Sequence, residues 1–282
     1  KEGSGWVAFN YKPMPSTFCP TNGSTDDVMI RLPEAFRQLN GEYSEDVYFA
    51  NLSLMEISIK GLEELATQPL NEAALDIDLD GDGVFSVRSE VIKARSHYVG
   101  DAKDVELTPQ LYPVGTEFLH TVRYVGVDGE RIVPSARMKE VRYLRKKRYM
   151  RPEALLSTYY AERKEKHFEK LPTVSDYGDE GMGNRNGWMM WGFIENAEGQ
   201  LRRQHFEEQF FCVGCHKSVG TTIDQTYSFP RKVDGKMGWG YIDLSKIVDA
   251  PNVGETEGEL LTYLERVGGG DEFHVPGAWS ES

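Results

Sequence analysis

The sequence predicts an α+β protein, with an N-terminal mixed module that carries a β-hairpin and an acidic loop, followed by a mainly α-helical domain. Three patterns predict this class. Apolar residues recur every three or four positions between residues 46 and 65, and β-rich runs flank an Asp128-Gly129 turn. A helical pattern precedes Cys212 and Cys215. The 282 residues are 39% hydrophobic, which is enough for a sizeable core and excludes a disordered chain.

Charge and hydropathy limit the classes of partner. The chain has 45 acidic and 32 basic residues and a net charge of −13, which argues against a nucleic-acid partner. Its longest apolar run, residues 188–194, is far shorter than the roughly 20 residues that span a bilayer, so we expect no transmembrane segment. The chain begins at Lys1 without an apolar leader, which favours a mature exported form.

The N-terminal module is predicted to cover residues 1–180. A strand is expected over residues 28–32, and the periodicity of residues 46–65 favours a helix, although alternating apolar residues there keep a strand open. A short helix is expected over 87–98, and a hairpin around Asp128-Gly129. Pro152 opens a strongly helical stretch because proline suits the first helical position.

The C-terminal domain is predicted to cover residues 181–282. The polar, glycine-rich segment 173–187 suggests a linker before it. A strand is expected over 188–194, then a helix that leads into the cysteine pair, and a further helix over 258–267.

Cys212, Cys215 and His216 form the pattern Cys-x-x-Cys-His, which is typical of covalent haem c attachment. Thiols at this spacing can reach both vinyl groups of one porphyrin, and the adjacent imidazole can then ligate the iron. A redox dithiol, half of a zinc site and chance are the alternatives. The helical pattern before the motif disfavours the dithiol, and the lack of a second cysteine pair disfavours zinc. Covalent haem would place the chain in the periplasm or in another exported compartment, and Cys19 would stay a free or buried thiol.

Residues from about 200 to 275 resemble a class I cytochrome c, because a helix enters the motif, a loop follows, and a later helix precedes a glycine-rich turn. The resemblance implies one haem c. The distal methionine typical of the family is absent, so His274 is the first distal candidate and Met190 an alternative, and an open site is the third possibility. Trp239, Tyr241 and Arg231 are expected around the haem propionates.

These features predict a monohaem c-type cytochrome that carries single electrons between redox protein partners, within a larger electron-transfer complex or alone. A haem c enzyme or small-ligand sensor with an open distal site is one alternative, and a structural subunit of a redox complex is another. No catalytic pair is evident in the N-terminal module, so an enzymatic activity is left open.

The acidic segment 76–90 places Asp78, Asp80 and Asp82 at alternate positions, followed by Gly83 and the apolar Phe85. This pattern resembles an EF-hand loop and implies Ca²⁺ as a second cofactor. The resemblance assigns the ligands to Asp78, Asp80, Asp82, the Val84 carbonyl, Ser86 and, one residue late, Glu90. The alternative is a solvated acidic turn. A bound ion in such a lone loop would be a structural clamp.

A basic stretch, residues 136–170, stands out in this acidic chain. It contains twelve Lys or Arg residues and five Glu residues, for a local charge of +7. The stretch could form a docking patch for an acidic partner, or its cations could pair with carboxylates of the same chain.

Overall fold

A computed structural model describes residues 3–12, 24–129, 131–215, 222–243, 249, 251–252, 254–259, 261–262 and 265. The strands are β1 (Val7–Phe9), β2 (Ser24–Arg31), β3 (Gln38–Leu39), β4 (Glu42–Tyr43), β5 (Glu64–Leu70), β6 (Ser89–Lys93), β7 (Glu117–Asp128), β8 (Arg131–Lys146), β9 (Ser175–Asp176), β10 (Met182–Gly183), β11 (Trp188–Glu195) and β12 (Leu201–Arg203). The α-helices are α1 (Glu45–Lys60), α2 (Glu72–Leu75), α3 (Pro152–His167) and α4 (Phe206–Cys215). In these described ranges, no helix is long and apolar enough to cross a membrane.

One antiparallel sheet of eight strands organises the fold. Its order is β1-β2-β7-β8-β11-β10-β9, and β12 pairs with residues 193–195 at the end of β11. The long hairpin of β7 and β8 closes where Asp128 pairs with Arg131, which confirms the turn predicted at Asp128-Gly129. Strands from both sides of residue 180 belong to this sheet, because β11 pairs along β8 from Trp188 to Ile194.

Helix α1 confirms the helical interpretation of residues 46–60, whereas Glu64 and Leu65, at the end of the predicted segment, begin β5. It begins where the Ser44 hydroxyl accepts a hydrogen bond from the Val47 amide, at 3.3 Å. It ends at Gly61, whose φ of 68° suits glycine and whose amide donates to the Ile57 carbonyl. Most of the helix is buried, and Asn51 fastens it to two neighbouring segments through the carbonyls of Phe36 and Val99.

An aromatic cluster joins the sheet to the later part of the chain. Phe229 packs edge-on against Phe9, at 5.3 Å between ring centroids, and against Tyr112 at 5.9 Å. Tyr112 in turn meets Phe118 and Trp188, at 5.3 and 5.7 Å. Edge-to-face contacts of this kind add to the stabilisation from buried area. The segment around residue 229 is therefore part of the core of the main sheet.

Two structural predictions are wrong. Residues 181–282 are not a mainly α-helical domain, because their described part contributes β10, β11 and β12 to the main sheet and its helix α4 has only ten residues. Residues 87–98 are not a helix either. They contain β6, which pairs with β5 and places Ile92 opposite Leu65, both buried. This pairing overrides the local helical preference because β5 supplies backbone hydrogen-bond partners and Ile92 is buried opposite Leu65.

Candidate functional site

The acidic loop lies between α2 and β6, and its own carboxylates fold it. Both oxygens of Asp78 accept backbone hydrogen bonds, from the amides of Gly81 at 2.6 Å and Gly83 at 3.0 Å. The carboxylate of Asp80 accepts from the Asp82 amide at 3.1 Å. Such bonds from an aspartate to amides further along the chain produce tight turns. The oxygens of Asp78 and Asp80 are thus drawn toward the inside of the loop.

Glu72, in the first turn of α2, precedes the acidic loop in the sequence and holds it through hydrogen bonds. Its side chain is fully buried. One carboxylate oxygen accepts from the Leu79 and Asp80 amides, at 2.7 and 3.2 Å, and the other accepts from the Ser86 amide at 3.0 Å. The Glu72 amide donates back to the Ser86 carbonyl at 2.9 Å. One buried carboxylate therefore fixes both arms of the loop.

Glu72, Asp78 and Asp80 each offer one oxygen, and these oxygens all lie within 4.8 Å of one another. Three negative charges at this separation repel each other. A cation bound between them would attract all three carboxylates and offset this repulsion. Carboxylate and carbonyl oxygens are the ligands that Ca²⁺ prefers. Arg95 contacts the loop from its edge, but it donates to the backbone carbonyl of Asp78, at 2.6 Å. The arrangement can hold one divalent cation.

The other expected ligands have different partners. The Asp82 carboxylate accepts from the Val84 amide at 2.7 Å and is not among the three that converge. The Val84 carbonyl accepts from the Ser86 amide at 3.0 Å, and the Ser86 hydroxyl accepts from the Arg88 amide at 3.1 Å. These groups stiffen the outer part of the loop.

Glu90 lies on β6 and makes surface ion pairs. It accepts from Lys236 at 2.9 Å and from Arg88 at 3.0 Å, and these hydrogen bonds hold its pKa below the ordinary value. Ser89, at the twelfth loop position, donates to Asp80 at 3.0 Å. The third carboxylate of the cluster is therefore Glu72 rather than Glu90. Glu72 precedes Asp78 by six residues, outside the twelve-residue pattern, so the loop spacing carried no signal for it.

The cysteine motif is only partly described. Cys212 and Cys215 lie on the last turns of α4 by their backbone, and their side chains, together with His216 and His274, lie outside the described residues. Met190, the alternative distal ligand, is a buried residue of β11. Its carbonyl accepts a hydrogen bond from Gln209, which ties α4 to the sheet.

The side chains expected around haem propionates have protein partners or face solvent. Trp239 packs against Phe9 and Phe49, with ring centroids 6.5 and 6.1 Å away. Arg231 donates to the Glu259 carboxylate at 2.8 Å, and Tyr241 is 65% exposed. The tryptophan and the arginine thus connect segments of the chain to each other.

Some cations of the basic stretch pair with carboxylates of the same chain, and others are exposed. Lys146 forms a fully buried pair with Asp224, at 2.5 Å, and Arg142 pairs with Glu140. Lys147 and Arg148, by contrast, are exposed and line a cleft beside β11. Part of the local charge is therefore neutralised internally and part faces solvent.

Comparisons with known proteins identify the family. Residues 1–278 match the model of a lipoprotein family. The chain is also similar to a protein of Aquifex aeolicus (strain VF5) named as an uncharacterized lipoprotein, with 34% identity over 301 residues. That match covers 96% of this chain and 49% of the relative, so the chain spans about half the length of the curated relative it matches. No solved structure shows significant similarity to it.

These matches, together with the mainly β-sheet fold, correct the functional prediction. Neither match describes a cytochrome, so the resemblance to class I cytochrome c, the haem c cofactor and the electron carrier are wrong. Lipoproteins are held at a membrane surface by covalent lipid, which agrees with the expectation of an exported protein. The chain belongs to this family of lipoproteins.

Proposed function

We propose that this chain is a calcium-binding part of an exported bacterial lipoprotein, and that Glu72, Asp78 and Asp80 hold the ion. The observation that carries the proposal is the convergence of these three carboxylates within 4.8 Å, one of them fully buried. Burial of an ionised carboxylate is costly unless it is hydrogen-bonded and its charge is balanced. A calcium ion would supply that balance and would bind through the carboxylate lone pairs that the amide hydrogen bonds do not use.

The ion would act as a structural clamp. The loop joins α2 to β6, and β6 is held to the rest of the chain by its pairing with β5 and by the Glu90–Lys236 ion pair. Bringing both arms of the loop to one ion would stabilise this two-stranded unit. Calcium sites of extracellular modules bind with dissociation constants on the order of 0.1–1 mM. A clamp of this strength fits a protein on the periplasmic side of the membrane, which is the location we propose.

The test is calcium titration of the purified chain by calorimetry, together with thermal unfolding with and without calcium. At a free calcium concentration of 100 times Kd, binding to the folded state alone raises the free energy of unfolding by about 2.7 kcal/mol. Asp78→Asn and Asp80→Asn should each abolish or strongly weaken binding. They are preferred to Glu72→Gln, because Glu72 also anchors three backbone amides.

Glu90→Gln is the matched control, since it removes a carboxylate from the same segment but not from the cluster. We expect it to bind calcium like the original chain. Loss of binding in Glu90→Gln with retention in Asp78→Asn would support the EF-hand ligand set instead. Absence of binding heat and of a thermal shift in millimolar calcium would refute the proposal and leave a solvated acidic turn.

A further inference from the structure

A cleft of about 750 Å³ opens beside the main sheet, between the ends of β8 and β11 and the segment that carries β9 and β10. This volume is within the usual range of small-molecule sites, about 300–1,000 Å³. It is formed by different elements from those that form the acidic loop. The motif that contributes to it is the basic stretch, whose Lys147 and Arg148 line the cleft.

Aromatic side chains form part of the cleft wall. Trp191, Tyr177 and Met189 line it, and two glycines let them approach the backbone closely. A Cβ at Gly183 would lie 3.2 Å from the Tyr177 ring and 3.4 Å from the Met189 sulfur. Gly181 has a φ of 100°, and a Cβ there would lie 2.7 Å from the Trp191 ring. Glycine at both positions therefore leaves room for these rings to lie close to the backbone.

The indole of Trp191 is held in place before any ligand arrives. Its ring nitrogen donates to the Asp179 carbonyl at 3.3 Å, and its ring lies 5.1 Å from that of Tyr143. Tyr143 in turn donates its hydroxyl hydrogen to the Glu117 carboxylate. A fixed aromatic wall loses little conformational entropy when a flat ligand packs against it.

Three cations line the same cleft, namely Lys147, Arg148 and Arg185, against one carboxylate, Glu180. Within the described part of the chain, none of the three has an ion pair; the one hydrogen bond found for these side chains runs from Arg148 to the Arg185 carbonyl, at 3.4 Å. The nearby Asp179 does not balance them, because its carboxylate pairs with Arg203.

The backbone positions two of these cations. The amides of Lys147 and Arg148 both donate to the Gly187 carbonyl, at 2.8 and 3.3 Å. Arg185 has a φ of 64°, a left-handed conformation that is uncommon for arginine. The excess of positive charge at this rim is notable in a chain of net charge −13.

From these observations we propose that the cleft binds a small anion with a flat, largely apolar body, such as an aromatic carboxylate, sulfonate or phosphate ester. The ring of the ligand would pack between Trp191 and Tyr177, and its anionic group would lie at the rim, toward Lys147, Arg148 and Arg185. Guanidinium groups suit carboxylate and phosphate oxygens because they can donate two parallel hydrogen bonds. The proposal needs no metal and is independent of the acidic loop.

The experiment compares three probes that separate ring from charge: naphthalene-2-sulfonate, the neutral naphthalene-2-methanol, and methanesulfonate. Binding is measured by calorimetry on the purified chain at low and at physiological salt. We expect the planar anion to bind at least about tenfold more tightly than either of the others, because only it uses both the aromatic walls and the cations. Salt should weaken its binding, since surface charges are screened.

Variants then test whether the planar anion binds in this cleft. Arg148→Gln and Arg185→Gln should each weaken binding of the planar anion by about tenfold, which is the usual effect of losing one charge-assisted hydrogen bond. Arg163→Gln is the matched control, because Arg163 is an exposed arginine of α3 that does not line the cleft. Trp191→Phe, which keeps an aromatic ring, should reduce the affinity for both naphthalene probes.

Three results would overturn the proposal: no binding of naphthalene-2-sulfonate at millimolar concentration, equal binding of the neutral naphthalene, or equal loss of affinity in the Arg163 variant and the cleft variants. Far-ultraviolet circular dichroism and thermal unfolding of each variant show whether it is folded. If an arginine variant is destabilised, Lys147→Gln provides the same test from an exposed side chain.

Discussion

The buried Lys232 makes the stability of this protein depend on pH in a way that can be calculated. Its ammonium group is fully buried. It donates to Glu56 at 2.8 Å and to the Val233 and Gly235 carbonyls, and it lies 4.1 Å from the Trp239 ring centroid. Burial lowers the pKa of Lys232 from 10.5 to about 8, in spite of the opposing effect of Glu56.

The sign of the effect follows from proton binding. Between pH 8 and 10.5 the unfolded chain holds this proton and the folded chain releases it, so stability rises with pH over that window. Between pH 7 and pH 9.5 the free energy of unfolding should increase by about 2 kcal/mol from this group alone. The buried tyrosines Tyr48 and Tyr98 have raised pKa values and act in the opposite direction, but only at higher pH.

Lys232→Met isolates this contribution because it removes the titrating group and leaves the other groups in place. Glu56 keeps a partner in the variant, since Lys60 also donates to it, at 2.7 Å. Urea unfolding followed by circular dichroism gives the free energy of unfolding of both proteins at pH 7 and 9.5. The difference in stability between the original chain and the variant should shift by about 2 kcal/mol in favour of the original chain. A difference that stays constant over this range would show that Lys232 is not desolvated in the folded state.

Two further predictions concern the core. Lys146→Met leaves Asp224 buried without its cation, and should lower the free energy of unfolding by about 3–5 kcal/mol in urea unfolding. The double variant Lys146→Met, Asp224→Asn should recover part of that loss, because the asparagine amide is neutral and asparagine tolerates the φ of 45° at this position. If stability does not recover, the pair acts through more than its charge. Gly235→Ala should lower the melting temperature more than Gly41→Ala. Both glycines have a positive φ. An added Cβ at Gly235 would lie 2.3 Å from the Ala66 carbonyl oxygen, whereas an added Cβ at Gly41 would meet no atom within 4 Å. Equal shifts in melting temperature would contradict this difference in packing.

The elements that sequence reasoning predicted well are those whose determinants are local. Helix α1 has both its N-cap, Ser44, and its terminating Gly61 within the segment, together with a long apolar periodicity. The hairpin of β7 and β8 has its turn at Asp128-Gly129, flanked by β-branched residues. In both cases the residues that decide the conformation are adjacent in sequence.

The elements that it missed depend on distant residues. Strand β6 exists through its pairing with β5, and nothing within residues 89–93 specifies that partner. The sequence predicts strand β11, but its partner β8 lies more than forty residues earlier, and nothing within residues 188–194 indicates that pairing. In the acidic loop, Asp78 and Asp80 were found by spacing, and Glu72 was not, because it reaches the loop by folding back from α2.

The basic stretch shows why a count of charges along the sequence does not predict their use. Side chains of a strand point alternately to its two faces, so neighbouring cations of β8 have different surroundings. Arg142 and Lys146 are on one face and pair with Glu140 and Asp224. Arg145 is exposed on the other face, and Lys147, just beyond the end of the strand, is exposed at the rim of the cleft. Lys146 balances the buried charge of Asp224, whereas Lys147 leaves its charge available to a ligand. Because side chains alternate between the two faces of β8, one basic run contributes both a buried ion pair and an exposed cation at the rim of the cleft.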